Sequence, residues 1–289
     1  MPKPGLDFPI TKAKPTFKNI AYAKASKTQK LDIYLPQGSG PFPVVLIIHG
    51  GGFMFGDKSH QLSQAGTDIL LSNGYAVANA NYRLSTEAKA PAQVLDVKTA
   101  VRWLRANSQK YNLNADKIGA WGASSGGNLA ALLGTSCGVA ELEGSDLGYA
   151  DQSSSVQAVV DWFGPIDFLK MDEQFRARGR EANHDIPDSF EAILIGAPIQ
   201  TRPDLVKVVN PLTYVSPSAA PILIQHGRED ALIPWEQSQI LYDALKPLIG
   251  EEAVLTVIEG AGHGGGQKFW DPKNIEILLR FLEKYLKGG

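Results

Sequence analysis

The stretch Ile118-Gly119-Ala120-Trp121-Gly122-Ala123-Ser124-Ser125-Gly126-Gly127-Asn128-Leu129-Ala130-Ala131-Leu132-Leu133 decides how this chain folds. Ile118 to Trp121 has the pattern of a short buried strand, and Gly127 to Leu133 is helix-like. Gly122-Ala123-Ser124-Ser125-Gly126 therefore lies at a strand–turn–helix junction. A turn that sharp leaves no room for side chains at Gly122 and Gly126, and it lifts the Ser124 hydroxyl above a sheet at a helix N-terminus. Taken alone, G-x-S-x-G arises often by chance and reads as a glycine-rich turn with a capping serine. Its flanking strand and helix raise Ser124 to a candidate nucleophile.

Outward from this junction the pattern alternates strand and helix, the mark of a mostly parallel central sheet with helices on both faces. Val44-Val45-Leu46-Ile47-Ile48 is a β-branched run without polar alternation, as expected of a strand buried on both sides. Phe17 to Tyr22 and Lys30 to Leu35 read as an antiparallel edge, and Tyr75 to Ala80 as another buried strand. Val94, Val97, Val101 and Leu104 form a helical stripe that begins near Pro91. Further strands are expected at Val156 to Trp162, Pro221 to Gln225 and Ala253 to Ile258. A last helix starts at Asp271-Pro272 and carries Ile275, Leu278, Leu279, Leu282 and Leu286 on one face. The charged, proline-rich residues 163–214 read as an inserted helical cap in an otherwise single domain spanning residues 1–289.

The other candidate groups lie where strands end. His49-Gly50-Gly51-Gly52 follows the first central strand, and three glycines in a row let backbone N–H groups face a developing anion. The amides of Gly51, Gly52 and Ser125 are the expected oxyanion hole. The missing Lys-Ser/Thr of a P-loop and the absent G-x-G-x-x-G spacing argue against a nucleotide cradle. His226-Gly227-Arg228-Glu229-Asp230 and Gly260-Ala261-Gly262-His263-Gly264 each follow a later strand. In the chain order Ser, acid, His, Asp230 orients one imidazole nitrogen of His263 while the other takes the Ser124 proton. Glu229 reads as a solvated charge, His49 and His226 as loop braces, and His60 and His184 as surface residues. Phe53, Phe55, Trp162, Phe163, Ile233 and Trp235 flank these loops and are candidate pocket residues.

The bulk properties exclude other classes. The 289 residues are 44% apolar and carry a formal net charge of −2, which offers nothing to nucleic acid or an acidic membrane. Cys137, the one cysteine, excludes an intramolecular disulfide and a thiolate metal cluster, and its apolar neighbours suggest burial. With no His and carboxylates at ligand spacing, neither metal nor other cofactor is implied. Met1-Pro2-Lys3-Pro4-Gly5 opens no apolar stretch of signal length, and no segment reaches the roughly 18 apolar residues of a membrane span. As written the chain is expected in the cytoplasm, or outside the cell if a signal has been removed.

His49 to Phe53, Asn81-Tyr82-Arg83-Leu84-Ser85, Gly122 to Gly127, His226 to Pro234 and Gly262-His263 resemble, in order, α/β-hydrolase carboxylesterases of the hormone-sensitive-lipase-like group. Gly56-Asp57-Lys58-Ser59, Pro91-Ala92-Gln93, Ala100-Val101-Arg102-Trp103-Leu104 and Trp162-Phe163-Gly164-Pro165 look more narrowly like bacterial bifunctional acetylxylan and feruloyl esterases. The similarity runs from about Leu31 to the end. Ser125 stands where those proteins more often have alanine, and Tyr82 to Ser85 lacks the acidic residue and Ala-Pro-Glu ending of the hormone-sensitive-lipase branch proper. The resemblance implies an α/β-hydrolase fold and hydrolysis of a carboxylic ester in two acyl-transfer steps. Short-chain acyl esters, or acetyl and feruloyl esters of plant polysaccharide, are the substrates it implies, so the partner is a small-molecule or oligosaccharide ester. An arylformamidase or small-peptide hydrolase needs the same constellation. A binding receptor on this fold is disfavoured by the retention of Ser124, Asp230 and His263.

Overall fold

Val44 to Ile48 presents alternate side chains to two different cores, which fixes a sheet covered on both faces. The computed structural model describes residues 13–264 and 266–288. Met1 to Gly5, read above for a leader, lies outside them. The strands are β1 (Phe17–Ala21), β2 (Lys30–Tyr34), β3 (Phe42–Ile48), β4 (Ala76–Ala80), β5 (Leu113–Ala123), β6 (Ala158–Trp162), β7 (Ile222–Gly227) and β8 (Ala253–Ile258). They form one sheet in the order β1-β2-β4-β3-β5-β6-β7-β8. Strands β1 and β2 run antiparallel at one edge, and β4 and β3 through β8 are mutually parallel.

The helices are α1 (Gln61–Ser72), α2 (Ala92–Ala106), α3 (Ser125–Thr135), α4 (Ala140–Glu143), α5 (Phe168–Ala177), α6 (Phe190–Ile195), α7 (Pro203–Val208), α8 (Glu236–Ile249) and α9 (Pro272–Leu286). Val97 and Val101 of α2, Leu129 and Leu132 of α3 and Leu241 of α8 pack with Val44, Leu46 and Ile48 on one face. Leu70 of α1 and Leu278, Phe281 and Leu282 of α9 pack with Val45 and Ile47 on the other. The connection from β6 to β7 carries α5, α6, α7 and two 3-10 turns. Among the described residues no helix is long and apolar enough to cross a membrane.

Three local expectations need correction. Strand β5 extends back to Leu113, because Asn114 to Lys117, half-buried except for the exposed Asp116, interrupt the apolar run but not the extended backbone. Cys137 is exposed, since α3 ends at Thr135 and the cysteine lies in the turn beyond it. His184 is 5% exposed rather than a surface residue. Its ring stacks on Phe175 at 5.9 Å and its Nδ1 lies 3.2 Å from Glu191 Oε2.

Candidate active site

Because β3 and β5 to β8 are parallel, their carboxyl ends meet at one edge, and the loops carrying the candidate groups leave the sheet together. Ser124 follows β5 with φ 57° and ψ −126°, a left-handed conformation that costs a non-glycine residue roughly 1–3 kcal/mol. Two features hold it there. Its N–H donates to the Trp162 carbonyl at 2.9 Å, and α3 starts immediately after it, with Asn128 N–H donating to the Ser124 carbonyl at 3.1 Å. A Cβ on Gly122 would stand 1.9 Å from the Gly126 carbonyl oxygen, so the turn admits only glycine at that position.

His263 Nε2 lies 3.1 Å from Ser124 Oγ, and its Nδ1 lies 2.8 Å from Asp230 Oδ2. The three residues come from loops after β5, β7 and β8. The Phe163 ring packs edge-on against the His263 imidazole at 4.8 Å and limits its tilt. Asp230 is fully buried. Its Oδ1 accepts from the Leu232 and Ile233 amides at 2.8 and 2.9 Å, while Oδ2 faces His226 Nε2 at 3.2 Å as well as His263. Burial alone would raise this carboxyl, but the bonds from His226 and His263 outweigh it and hold the group well below the usual carboxylate range. His226 Nε2 also faces the Ile233 carbonyl at 3.1 Å, so that nitrogen, between two acceptors, carries a proton; Nδ1 then accepts from Ser238 Oγ at 2.7 Å.

The acid loop is further held from the β6–β7 connection. Arg178 donates to the Arg228 carbonyl at 2.7 Å and Arg180 to the Asp230 carbonyl at 3.1 Å, and the Leu232 carbonyl faces His184. Alternate carbonyls of one loop thus meet three side chains of one segment. Burial lowers the pKa of His184, yet Glu191, Asp172 and that carbonyl together raise it.

The glycine loop lies opposite. Among the described residues the amides of Gly51, Gly52 and Ser125 donate to no backbone carbonyl. Gly51 sits at φ +120°, and a Cβ there would stand 2.3 Å from the Phe55 carbonyl oxygen. His49 is buried beneath the loop, stacked on Tyr82 at 4.4 Å, with Nδ1 2.8 Å from the Gly50 carbonyl. Burial pushes its pKa down to about 4, so it stays neutral at pH 7. The Tyr82 hydroxyl donates to the His49 carbonyl at 3.1 Å. His49 and Tyr82 thus anchor the root of the loop.

Two cavities meet at Ser124. One lies between Gly52 and Ser125 and the β6–β7 connection, and is lined by Phe53, Pro165, Phe190 and Ile233, with His184 and Glu191 among its walls. The other, larger, opens to solvent past His263, Phe55 and Phe163. Trp162 and Trp235, expected as pocket residues, line neither. Trp162 is sunk between Trp121, Phe269 and Trp270, with its Nε1 donating to Gln225 Oε1 at 2.6 Å. Trp235 is covered by the Arg228 guanidinium at 3.9 Å. The sequence reading missed Phe190, Leu232, Pro165, His184 and Glu191. Four of them lie in a segment without helical or strand periodicity long enough to show which side faces the serine.

One buried acid lies beneath the turn without joining the site. Asp161, on β6, accepts from the Gly164 amide at 2.9 Å through Oδ1, and Oδ2 is buried with no hydrogen-bond partner. Burial pushes this carboxyl up to about 7, despite the amide bond. The folded protein therefore holds a proton that the unfolded chain has lost between about pH 4 and pH 7. Stability from this group is fully present below pH 4 and falls by about 1.4 kcal/mol per pH unit as pH rises across that window. Asp161→Asn should remove the fall: urea denaturation should find the variant more stable than the parent at pH 8, with the gap closing toward pH 4.5. Parallel pH–stability curves would show that Asp161 is ionised in the fold.

The chain is similar to several known proteins. Residues 31–245 match the family model described as BD-FAE. Esterase LipC of Mycobacterium tuberculosis is 31% identical over 229 residues, covering 78% of this chain and 53% of that protein. The chain spans about half the length of the curated relatives it matches. A structure described as a truncated form of a carbohydrate esterase from gut microbiota is 33% identical and superposes with a TM-score of 0.84, covering 95% of this chain and 99% of that one. The thermophilic esterase Est2 of Thermogutta terrifontis, at 24% identity and a TM-score of 0.74 over 93% of this chain and 92% of its own, shares the fold. This chain belongs to the BD-FAE family, and its kinship and α/β-hydrolase fold are those of carboxylic ester hydrolases.

Proposed function

We propose that the chain hydrolyses carboxylic esters through an acyl-enzyme on Ser124. The observation that carries this is the continuous chain Ser124 Oγ, His263 Nε2, His263 Nδ1, Asp230 Oδ2, at 3.1 and 2.8 Å, between residues 139 and 33 positions apart in sequence. His263 takes the Ser124 proton as Oγ attacks the ester carbonyl, and Asp230 keeps the ring in the tautomer that can do so. The amides of Gly51, Gly52 and Ser125 receive the developing oxyanion. One such donor contributes about 3 kcal/mol to the barrier. His263 then returns the proton to the leaving alcohol, and water activated by the same nitrogen releases the acid.

The acyl group occupies the smaller cavity, whose close walls at Phe53, Pro165 and Ile233 suit a short chain. A second reading, acetyl or feruloyl groups on plant polysaccharide, is favoured by the likeness to a carbohydrate esterase from gut microbiota. A fluorophosphonate probe tests the nucleophile: one adduct per chain is expected by intact mass, on the peptide that contains Ser124. An adduct on another residue, or none with active protein, would remove Ser124 from the role.

A further inference from the structure

We infer that Arg178 and Arg180 are positioning residues for the orienting carboxylate of Asp230, acting on the backbone of its loop and not on the substrate. This rests on the acyl-enzyme reading above, which gives Asp230 its role. The loop after β7 is held from two sides. On one side the amides of Arg228, Glu229 and Asp230 donate to the carbonyls of Ile258, Ala261 and Gly227 at 3.0, 2.9 and 3.2 Å, which ties them to the ends of β7 and β8 and to the loop that carries His263. On the other side the carbonyls of Arg228, Asp230 and Leu232, every second residue, face the β6–β7 connection, and no backbone N–H among the described residues reaches them. Their donors are side chains of the segment just past α5. Arg178 donates to the first at 2.7 Å, Arg180 to the second at 3.1 Å, and the His184 ring faces the third. A carbonyl that loses such a donor must find water or move, so the arginines select one placement of the loop among those its amides alone would permit.

That placement sets the carboxylate. Asp230 Oδ1 takes its bonds from the Leu232 and Ile233 amides at 2.8 and 2.9 Å, so a shift in the backbone of residues 230–233 carries Oδ2 with it against His263 Nδ1, 2.8 Å away. Arg180 grips the carbonyl of Asp230 itself, and Arg178 the one two residues before. Neither arginine lines either cavity at Ser124, whereas Phe190 and Glu191, farther along the same connection, wall the acyl side. One connection thus shapes the acyl cavity and fixes the orienting carboxylate, with different side chains for each task. A misplacement of about 1 Å in a catalytic constellation costs about 100-fold in rate, so the loss of either arginine falls on kcat.

Arg180→Met keeps the stem and removes the donors, and at 34% exposure the side chain is open enough for the fold to survive its loss. With p-nitrophenyl acetate, kcat should fall about ten- to hundred-fold while KM stays within about two-fold, and adding Arg178→Met should deepen the fall. Arg180→Lys, which returns the charge and a donor without the planar fork, should regain about five-fold of the loss. Arg176→Met is the control. It lies at the same end of α5, is 64% exposed, faces Asp172 and Asp185 rather than the acid loop, and should stay within about two-fold of the parent. Proton NMR supplies a readout that general loosening would not move selectively: the low-field His263 Nδ1–H resonance, identified by its absence from Asp230→Asn, should shift in Arg180→Met and not in Arg176→Met. Turnover within about two-fold of the parent in the double variant, a loss confined to KM, an Arg180→Lys protein no better than Arg180→Met, or a fall in kcat with the resonance unmoved overturns the inference, while a fluorophosphonate adduct at Ser124 leaves the acyl-enzyme reading standing. If the parent cleaves no ester and Ser124 stays unlabelled, both fall.

Discussion

Ser124→Ala is expected to lower kcat for p-nitrophenyl acetate by about 10⁶-fold, leaving roughly the 10³-fold advantage over water that binding and an oxyanion hole retain. The size of the loss follows from the geometry. His263 Nε2 has no other hydroxyl within bonding distance among the described residues, so no neighbouring side chain can replace the attacking oxygen. Misfolding is excluded as the cause by a comparison the backbone supplies. At φ 57° and ψ −126° the residue is strained in the parent, and alanine inherits that strain. Glycine does not, so Ser124→Gly should be equally inactive yet at least as stable as Ser124→Ala, by about 1 kcal/mol after its greater chain entropy is counted. A Ser124→Ala protein that keeps its melting temperature and turns over within ten-fold of the parent would remove the serine from the chemistry.

The parallel sheet was legible because its strands are buried on both faces and so read as unbroken apolar runs, Val44 to Ile48 above all. Ser124, Asp230 and His263 were legible for a different reason: each follows such a run, and parallel strands carry their carboxyl ends to one edge. Chain order therefore stood in for distance. Where order could not do so, the reading failed. His184 sits among polar neighbours, but its partners are Glu191 on α6 and the acid loop, and nothing local announces either. Cys137 borrowed the apolar character of a helix that stops two residues before it. Trp162 is adjacent in sequence to Phe163, which touches His263, yet it is packed against Trp121 and Phe269 in the α9 face. Proximity in sequence to a catalytic loop says nothing of which face of the strand end a side chain takes. Phe190 and Leu232 were missed because Phe190 opens a helix of six residues and Leu232 lies in a bend, and neither is long enough to show a period from which a side chain's direction can be derived.

Asp230→Asn should reduce kcat by about 10⁴-fold with little change in KM. The carboxylate is fully buried and lines neither cavity, so substrate binding has no direct stake in it. The asparagine oxygen can keep the Leu232 and Ile233 amides, but its NH₂ then faces two imidazoles that both donate to the parent carboxylate. His263 must turn its unprotonated nitrogen toward that NH₂, which leaves the proton on Nε2, facing Ser124, where it blocks the transfer. The same substitution has a signature in stability. The folded carboxyl of Asp230 lies well below its unfolded value, so its contribution is fully present above about pH 4 and is lost as pH falls through the folded value. Asp230→Asn should therefore be less stable than the parent at pH 7, and the two should converge as the solution is acidified. Glu229→Gln is the matched control: its carboxylate is 56% exposed and 3.5 Å from Arg180, a pair worth at most about 1 kcal/mol, and its turnover should stay within about two-fold. If Asp230→Asn loses less than ten-fold in kcat, or Glu229→Gln loses as much as Asp230→Asn, the orienting carboxylate is not Asp230.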